Sequence, residues 1–125
     1  MNISFIVPCY NCEKYIDKNI HKLNKKLRNS IFKYEIILVD DSSSDNTFFN
    51  LKKIKKNIKN IKILKNKKNY GKSYSIIVGI KKSKYNHIIF IDCDFPYFKS
   101  ITKLIKYLKK NDMVIINRRV KKSRL

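Results

Sequence analysis

The order of apolar runs and amphipathic segments constrains the fold of this chain more than any other feature. Short, almost continuous apolar runs begin at Ile3, Ile36 and His87, and segments with apolar residues at helical spacing separate them. Apolar runs without alternation are typical of strands buried on both faces, as in a parallel sheet. Strands that alternate with helices need crossover connections, which cover both faces of the sheet. The sequence therefore predicts an α/β fold with a mainly parallel sheet between two layers of helices.

Five strands and four helices follow from this pattern. The predicted strands are Ile3–Val7, Tyr34–Val39, Ile61–Leu64, His87–Ile91 and Met113–Ile116. Four helices are predicted: one that follows Asn11 as its N-cap, a second over Thr47–Asn57, a third that opens at Gly71 and a fourth over 98–110. Ile76, Ile77 and Ile80 are expected to form the apolar face of the third helix. Because no internal repeat or linker occurs, residues 1–125 are expected to form one domain.

The composition restricts the cellular location and the kinds of binding partner that can be expected for this chain. The net charge is +21, which prompts a search for a nucleic acid or an anionic membrane as partner. The chain has no alanine or tryptophan and is rich in Ile, Lys and Asn, so an AT-rich genome explains much of the lysine excess without a specific nucleic acid. No apolar run approaches the roughly 20 residues of a membrane span, and no signal peptide is recognised. A cytoplasmic location is expected.

Acidic residues cluster directly after two of the predicted strands. Asp92 and Asp94 follow one strand, and the stretch 40–45 follows another, so these clusters hold five of the nine acidic residues. Ligands of open α/β sheets bind beyond the carboxyl ends of the strands, and paired carboxylates suit Mg²⁺ or Mn²⁺ that also binds substrate phosphates. The alternative is a turn in which the aspartates cap backbone groups. Asp45 in particular is expected to be structural, and either Asp45 or Ser44 is expected to be the N-cap of the second helix.

The three cysteines allow a second kind of chemistry. Cys9 and Cys12 form a C-x-x-C at a strand-to-helix junction, which is the setting of thioredoxin-like redox motifs. Cys93 is expected nearby, which would permit a site with three thiolate ligands to a metal. An odd number of cysteines argues against the disulfide framework of a secreted protein.

Six motifs carry a resemblance to a known family. They are Ile6–Asn11, Glu35–Thr47, Asn69–Ser73, Gly79, the triplet Asp92–Asp94 and Asn117–Lys121. In this order they resemble the nucleotide-sugar half of inverting family 2 glycosyltransferases, particularly the polyprenyl (dolichyl) phosphate mannose synthase-like branch. The resemblance implies a Rossmann-like GT-A three-layer sandwich. It also implies transfer of a sugar from a UDP- or GDP-linked donor to a lipid phosphate or saccharide, assisted by Mg²⁺ or Mn²⁺.

The resemblance also implies roles for individual residues. Pro8 and Tyr10 would shape the wall of the base and ribose pocket, with Glu13 close by. Asp41, with Val39, would contact the nucleoside. The implied ligands of the metal are Asp92 and Asp94, which flank Cys93, and the implied phosphate contacts are Lys72 and Arg118. A lipid-linked acceptor would place the protein peripherally on the cytosolic face of a membrane.

The chain departs from the family pattern at three points. Pro96 stands where dolichyl-type relatives usually have Gln, and Cys93 replaces the usual Ala. The chain also ends where the acceptor loop of the family begins, so the acceptor-binding part and a catalytic Asp base are expected to be absent. One alternative is therefore a non-catalytic remnant that binds sugar nucleotides. The other, from a different class, is a basic nucleic-acid-binding domain.

Overall fold

Strands and helices alternate along the chain in the computed structural model, which describes residues 1–95, 98–112 and 114. The strands are β1 (Ile3–Cys9), β2 (Tyr34–Asp40), β3 (Ile61–Lys65) and β4 (His87–Phe90). The helices are α1 (Ile16–Leu27), α2 (Thr47–Asn57), α3 (Lys72–Lys82) and α4 (Ile101–Leu108), and a 3₁₀ turn (Phe98–Ser100) precedes α4. The predicted alternation is confirmed for four strands and four helices.

The four strands form one parallel sheet in the order β3-β2-β1-β4. Every residue of β1 and β2 is buried, as expected for central strands covered on both faces. Cys9 pairs with Asp40, and Ile6 pairs with Phe90, so the carboxyl ends of β1, β2 and β4 lie at one edge of the sheet. The fifth predicted strand, Met113–Ile116, lies outside the described residues except for Val114, which belongs to no helix or strand.

Alternate side chains of the strands point into two separate apolar layers. Phe5 and Val7 lie in the larger cluster, together with the buried faces of α1 and α2 and with Ile101 of α4. Ile6 and Val39 lie in the smaller cluster, on the side of the sheet covered by α3. The sheet therefore separates two helical layers, as the predicted three-layer sandwich requires.

The expected capping role of Asn11 is wrong. Helix α1 begins at Ile16 and is preceded by Tyr15, and Asn11 adopts a left-handed backbone with φ of 48°. The Asn11 side-chain oxygen instead accepts hydrogen bonds from the backbone N–H of Ser44 (2.9 Å) and Asp45 (3.4 Å). Asn tolerates the left-handed conformation better than most residues, and here its amide joins the β1–α1 loop to the β2–α2 loop.

The expected apolar face of α3 is also wrong for two of its three residues. Ile77 and Ile80 are exposed, whereas the buried residues of α3 are Ser75 and Gly79. A Cβ added at Gly79 would lie 2.6 Å from Cγ2 of Ile6, so the helix backbone approaches the sheet closely at this position. Small residues therefore form the packing face, because they allow α3 to lie close to β1.

Helix α4 packs its apolar stripe against the core. Ile101 is buried, and Phe98, Ile105 and Leu108 are partly buried against the larger apolar cluster. This agrees with the interpretation of the stripe as core rather than as a membrane-facing surface. In the described part of the chain, no helix has both the length and the apolar character needed to cross a membrane.

Candidate functional site

A cleft of about 350 Å³ lies at the carboxyl edge of the sheet. Its lining residues are Pro8, Cys9, Tyr10, Tyr15, Asp41, Asn69, Gly71, Lys72, Ser75, Asp92, Cys93 and Asp94. The two acidic clusters therefore meet in one cavity, because the parallel register brings the ends of β2 and β4 to either side of β1. This is the position in which open α/β sheets bind ligands.

Asp41 forms a hydrogen-bonded junction at the floor of this cleft. The residue is 4% exposed. Its Oδ1 accepts hydrogen bonds from Asn66 Nδ2 and from the Tyr70 N–H, and its Oδ2 accepts one from the Gly71 N–H, each at 2.9 Å. The carboxylate thus fixes the β3–α3 loop and stabilises the positive N-terminal end of α3. The expected nucleoside contact of Asp41 stays a prediction.

The Asp92–Asp94 turn follows β4 directly. The Ile91 N–H donates to the Ile6 carbonyl (2.9 Å), and the Phe95 N–H donates to the Asp92 carbonyl (2.9 Å), which closes the turn. Asp92 is partly buried and forms an ion pair with Lys72 through its Oδ1. Asp94 is exposed at the mouth of the cleft. The turn therefore presents two carboxylates to the cavity, one of them already paired with a cation.

Lys72 reaches Asp92 from the first residue of α3. Its position depends on Gly71, whose φ of 99° is a conformation that glycine adopts readily. Because Asp41 accepts a hydrogen bond from the Gly71 N–H, the same carboxylate that orders the loop also anchors the residue before Lys72. A chain of contacts from Asp41 through α3 to Asp92 thereby joins the two acidic clusters.

The residues that the sequence nominated for the wall of the cleft divide into two groups. Pro8 and Tyr10 line the cleft, and Tyr10 is 47% exposed. Val39 and Glu13 are not among the lining residues: Val39 is fully buried beside β1, and Glu13 Oε2 accepts a hydrogen bond from the Asn46 N–H (3.1 Å). Arg118 lies outside the described residues.

The β2–α2 loop, in contrast, is organised by structural carboxylates. Asp45 Oδ1 accepts hydrogen bonds from the Thr47 N–H (2.9 Å) and hydroxyl (2.5 Å), and its Oδ2 accepts one from the Glu13 N–H (3.2 Å). Burial acts to raise the pKa of Asp45, but the hydrogen bonds from Thr47 and Glu13 outweigh it and lower the pKa. The expectation that Asp45 is structural is confirmed, but its expected position as N-cap is wrong, because the N-cap of α2 is Asn46.

The donor set in the cleft suits a divalent ion that is shared with a ligand. Asp92 and Asp94 supply hard oxygen atoms, which Mg²⁺ and Mn²⁺ prefer. Across residues 1–95, 98–112 and 114, no group of three or more His, Cys, Asp or Glu side chains is arranged to hold a metal. Two carboxylates alone fit an ion that completes its coordination with water and substrate phosphates.

The cysteines form a thiol cluster beside this turn. Cys9 and Cys12 are fully buried, and the neighbouring Cys9 thiol contributes most to raising the pKa of Cys12 to about 12. The contact with Cys12, together with burial, raises the pKa of Cys93. The raised pKa values keep Cys12 and Cys93 protonated at neutral pH. The three-thiolate metal site expected as an alternative is not formed in the described part of the chain.

Several lining residues were not nominated for the site from the sequence. Tyr15 and Ser75 line the cleft but belong to none of the six motifs, and Asn69 lines it and opens the motif Asn69–Ser73. Asn66 Nδ2 donates to Asp41 and to the Ser75 hydroxyl, each at 2.9 Å. The sequence signal for Tyr15 and Ser75 was their proximity to the C-x-x-C and to Gly71. Polar residues in a Lys/Asn-rich loop look alike until the fold shows which of them face inward.

Comparison with known proteins decides the family. The sequence profile of the family described as "Glycosyl transferase family 2" matches residues 4–124. The chain belongs to glycosyl transferase family 2.

Two relatives are about one-third identical to this chain over the aligned residues. An uncharacterized glycosyltransferase of Haemophilus influenzae is 35% identical over 113 residues, which are 90% of this chain and 34% of the relative. The dolichyl-phosphate beta-glucosyltransferase of Dictyostelium discoideum is 33% identical over 128 residues, covering 91% of this chain and 38% of that protein. The chain thus spans about a third of the length of these relatives.

Solved structures show the same fold. The mannosyltransferase PcManGT from Pyrobaculum calidifontis, in complex with GDP-Man and Mn²⁺, matches with a TM-score of 0.74 at 18% identity, over 85% of this chain and 32% of that chain. S. aureus TarS 1-349 in complex with UDP-GlcNAc matches with a TM-score of 0.66 at 30% identity, over 86% of this chain and 32% of that chain. The GT-A fold expected from the resemblance is confirmed.

Proposed function

We propose that residues 1–125 form a donor-binding domain that holds a nucleotide-diphospho-sugar and a divalent metal ion for transfer of the sugar to an acceptor. The observation that carries the proposal is that Asp41, Lys72, Asp92 and Asp94 line one cleft at the carboxyl edge of the sheet. The family and its structural neighbours, which include complexes with GDP-Man and with UDP-GlcNAc, support a donor of this class.

Each part of the cleft has a distinct task in this proposal. Pro8 and Tyr10 form the wall on which the nucleoside rests, with Asp41 at the floor next to Asn66. The Asp92–Asp94 turn faces the diphosphate, with Asp92 and Asp94 as the residues that would hold Mg²⁺ or Mn²⁺. When bound, that ion acts as a Lewis acid that neutralises charge developing on the leaving diphosphate.

Lys72 is the cation that the chain itself supplies. Its ammonium group already lies against Asp92 at the edge of the cleft. In a donor complex the same group would face the diphosphate oxygens, and a preorganised donor at such a position contributes about 2–4 kcal/mol to stabilising developing negative charge. Arg118, which the family resemblance nominates for the same task, would add a second cation.

The acceptor and the cellular location belong to the proposal as well. The relative named dolichyl-phosphate beta-glucosyltransferase supports a lipid phosphate as acceptor, with a saccharide as the alternative. A lipid-linked acceptor would place the protein in the cytoplasm, peripherally on the cytosolic face of a membrane. Transfer would be inverting, as the family resemblance implies, and no residue of this chain is assigned as the catalytic base.

Calorimetry with UDP and GDP, each with and without Mn²⁺, tests the donor site. We expect metal-dependent binding of one of them and a loss of affinity of about tenfold or more in Asp94→Asn, which corresponds to 1.4 kcal/mol or more. Asp17→Asn is the matched control, because Asp17 is an exposed aspartate of α1 that pairs with His21. Equal binding by both variants, or binding that ignores Mn²⁺, would contradict the proposal.

A donor-binding remnant without transferase activity is the second candidate. The chain spans about a third of the length of its relatives, so the transfer activity in their names is a proposal for this chain. A transferase assay with the donor that binds separates the two: the enzyme releases the nucleoside diphosphate in an acceptor-dependent reaction, whereas the remnant only binds.

A basic nucleic-acid-binding domain is the remaining alternative. It predicts tight binding of DNA or RNA with a steep dependence on salt concentration, because lysines would displace counterions from phosphates. That binding would be unchanged in Asp94→Asn. The donor-binding proposal expects only weak, salt-sensitive association of nucleic acid with this strongly basic chain.

A further inference from the structure

Helix α3 exposes its large apolar side chains and buries its small ones. Tyr74, Ile77 and Ile80 are 44%, 52% and 44% exposed. Their spacing of three residues places them on one face of the helix. Ser75 and Gly79 lie on the opposite face, which packs on the sheet. Packing of α3 on the sheet therefore does not account for the apolar character of its outer face.

The exposed apolar side chains are contiguous rather than scattered. Tyr70, in the loop before α3, extends the row, since its ring centroid lies 4.4 Å from that of Tyr74. Single exposed apolar residues are common on soluble proteins, whereas a contiguous apolar patch marks an interaction surface. Tyr70, Tyr74, Ile77 and Ile80 together form the α3 stripe.

The charge around the α3 stripe has one sign. None of the nine acidic residues of the chain lies between Asp45 and Asp92, so every charged side chain of α2, β3 and α3 is a lysine. Lys81 lies four residues after Ile77, on the same face of the helix, and Lys82 follows it in the last turn. Both lysines are exposed. The outer face of α3 thus combines apolar and aromatic side chains with cations.

We propose that α3 lies flat on a bilayer that contains anionic lipids, with the α3 stripe inserted among the headgroups and Lys81 and Lys82 against lipid phosphates. Amphipathic helices bind membranes in this way, and tyrosine rings favour the level of the headgroups. Charge favours this partner over a second copy of the chain, because a self-interface on α3 would bring lysines of like charge together.

This orientation would bring the cleft to the membrane. Gly71 and Lys72, where α3 begins, line the cleft. A helix that lies on the bilayer would therefore hold one wall of the cleft at the level of the headgroups, where a lipid phosphate is accessible. This consequence rests on the proposed function, whereas binding of the α3 stripe to lipid does not.

Co-sedimentation of the full chain with vesicles, without nucleotide or metal, tests the proposal. We expect binding to vesicles of phosphatidylcholine mixed with phosphatidylglycerol, and much weaker binding to vesicles of phosphatidylcholine alone. Ile77→Ser combined with Ile80→Ser should weaken binding to the anionic vesicles about tenfold or more, since it removes the inserted side chains and leaves the charge unchanged. The matched control is Ile31→Ser combined with Phe49→Ser, which removes two exposed apolar residues outside α3 and should bind as the original chain does.

A second pair of variants separates the position of the charge from its amount. Lys81→Gln with Lys82→Gln removes two charges from the last turn of α3, and Lys55→Gln with Lys56→Gln removes two from the last turn of α2. The two helices lie on opposite sides of the sheet. We expect the α3 variant to lose about tenfold or more in affinity for the anionic vesicles, and the α2 variant to lose about threefold or less.

Three results would overturn the proposal: no preference for the anionic vesicles, equal affinity of the two serine variants, or equal loss in the two glutamine variants. Sedimentation velocity without lipid adds a fourth, since self-association that is lost only with Ile77→Ser and Ile80→Ser would assign the α3 stripe to a second copy of the chain. Nucleotide binding is measured separately. Vesicle binding through α3 by a chain that binds neither UDP nor GDP would refute the proposed function and would still support the membrane surface.

Discussion

Replacement of Asp41 by Asn tests whether this carboxylate organises the cleft. The change keeps the size of the side chain but replaces one acceptor oxygen with an NH₂ donor. Three donors converge on the two oxygens of Asp41: two of them, Asn66 Nδ2 and the Tyr70 N–H, on Oδ1, and the Gly71 N–H on Oδ2. The best orientation of Asn keeps the two bonds to Oδ1 and places its NH₂ against the Gly71 N–H.

The expected cost follows from these three bonds. A hydrogen bond to a charged group contributes about 1.5–3 kcal/mol, and a neutral one about 0.5–1.5 kcal/mol. Asp41→Asn loses one charged bond and weakens two others by about 1 kcal/mol each, so we expect a decrease of about 3.5–5 kcal/mol in the free energy of unfolding. Natural domains have only about 5–15 kcal/mol in total, so this loss should be easy to measure.

The neighbouring Asp40 provides the matched control. Asp40 is also fully buried, and its Oδ1 accepts a hydrogen bond from the Ser43 hydroxyl (2.6 Å), but its Oδ2 has no hydrogen-bond partner among the described residues. An amide at this position keeps the bond to Ser43 and replaces only the unpartnered oxygen. The amide weakens only the bond from the Ser43 hydroxyl and a longer one from the Ser43 N–H (3.4 Å), so we expect Asp40→Asn to lower the free energy of unfolding by about 1–2 kcal/mol.

Urea denaturation followed by circular dichroism gives both values, and an unchanged slope against urea shows that the compactness of the two states is unchanged. Hydrogen exchange adds a local readout, since the amides of Tyr70 and Gly71 should exchange faster in Asp41→Asn alone. The reasoning fails if Asp41→Asn costs less than about 1 kcal/mol, or if both variants lose the same amount.

Three further predictions follow from single contacts. Gly79→Ala places a Cβ 2.6 Å from Cγ2 of the buried Ile6, so the cost of overpacking should exceed the gain in helix propensity. We expect the free energy of unfolding to fall by about 1–2 kcal/mol in the same urea assay. An unchanged value would show that α3 can move away from the sheet. Lys72→Met removes the cation paired with Asp92, which relieves about 1 kcal/mol of repulsion between the Lys72 ammonium and a bound Mn²⁺. In a titration without nucleotide, Mn²⁺ should therefore bind about fivefold more tightly. Weaker or equal binding would contradict a metal site on Asp92. Folding lowers the pKa of Asp45 from the ordinary value of 3.8. The contribution of this carboxylate to stability is therefore complete above pH 3.8 and is lost as the pH falls through the lower pKa of the folded state. Asp45→Asn should make stability depend less steeply on pH in the acid range, and a curve parallel to that of the original chain would refute this role.

The strands could be predicted from the sequence because their burial leaves little choice. The run from Ile36 to Val39 is apolar on both faces, and only a central strand of a covered sheet accommodates such a run. Asp41 and the Asp92–Asp94 turn follow strands directly in the sequence, so the positions of the strand ends determine where these carboxylates cluster. The meeting of Asp41 with the Asp92–Asp94 turn follows from the parallel pairing of β2 and β4 with the two sides of β1, without knowledge of any side-chain contact.

Helix faces and loop contacts were harder to predict, because several arrangements satisfy the same pattern. Ile77 and Ile80 of α3 are more apolar than Ser75 and Gly79, yet the small residues face the sheet, since close approach to Ile6 leaves no room for larger side chains. Similarly, Asn11 has the composition of an N-cap, but its left-handed backbone directs the side chain across to the next loop. Both outcomes depend on distances between elements, which a periodic pattern does not contain.

The carboxylates of the cleft also differ in ways that their positions in the sequence do not reveal. Asp41 is buried and holds a loop, Asp92 is partly buried and paired with Lys72, and Asp94 is exposed at the mouth of the cleft. A substitution at Asp41 therefore perturbs the fold together with any binding, and one at Asp92 also releases a lysine. Asp94 is the position at which removal of a charge changes the chemistry of the cleft with the least change in its architecture. For this reason, a loss of metal-dependent binding in Asp94→Asn at unchanged stability would assign the metal to the turn, whereas the same loss in Asp41→Asn would not.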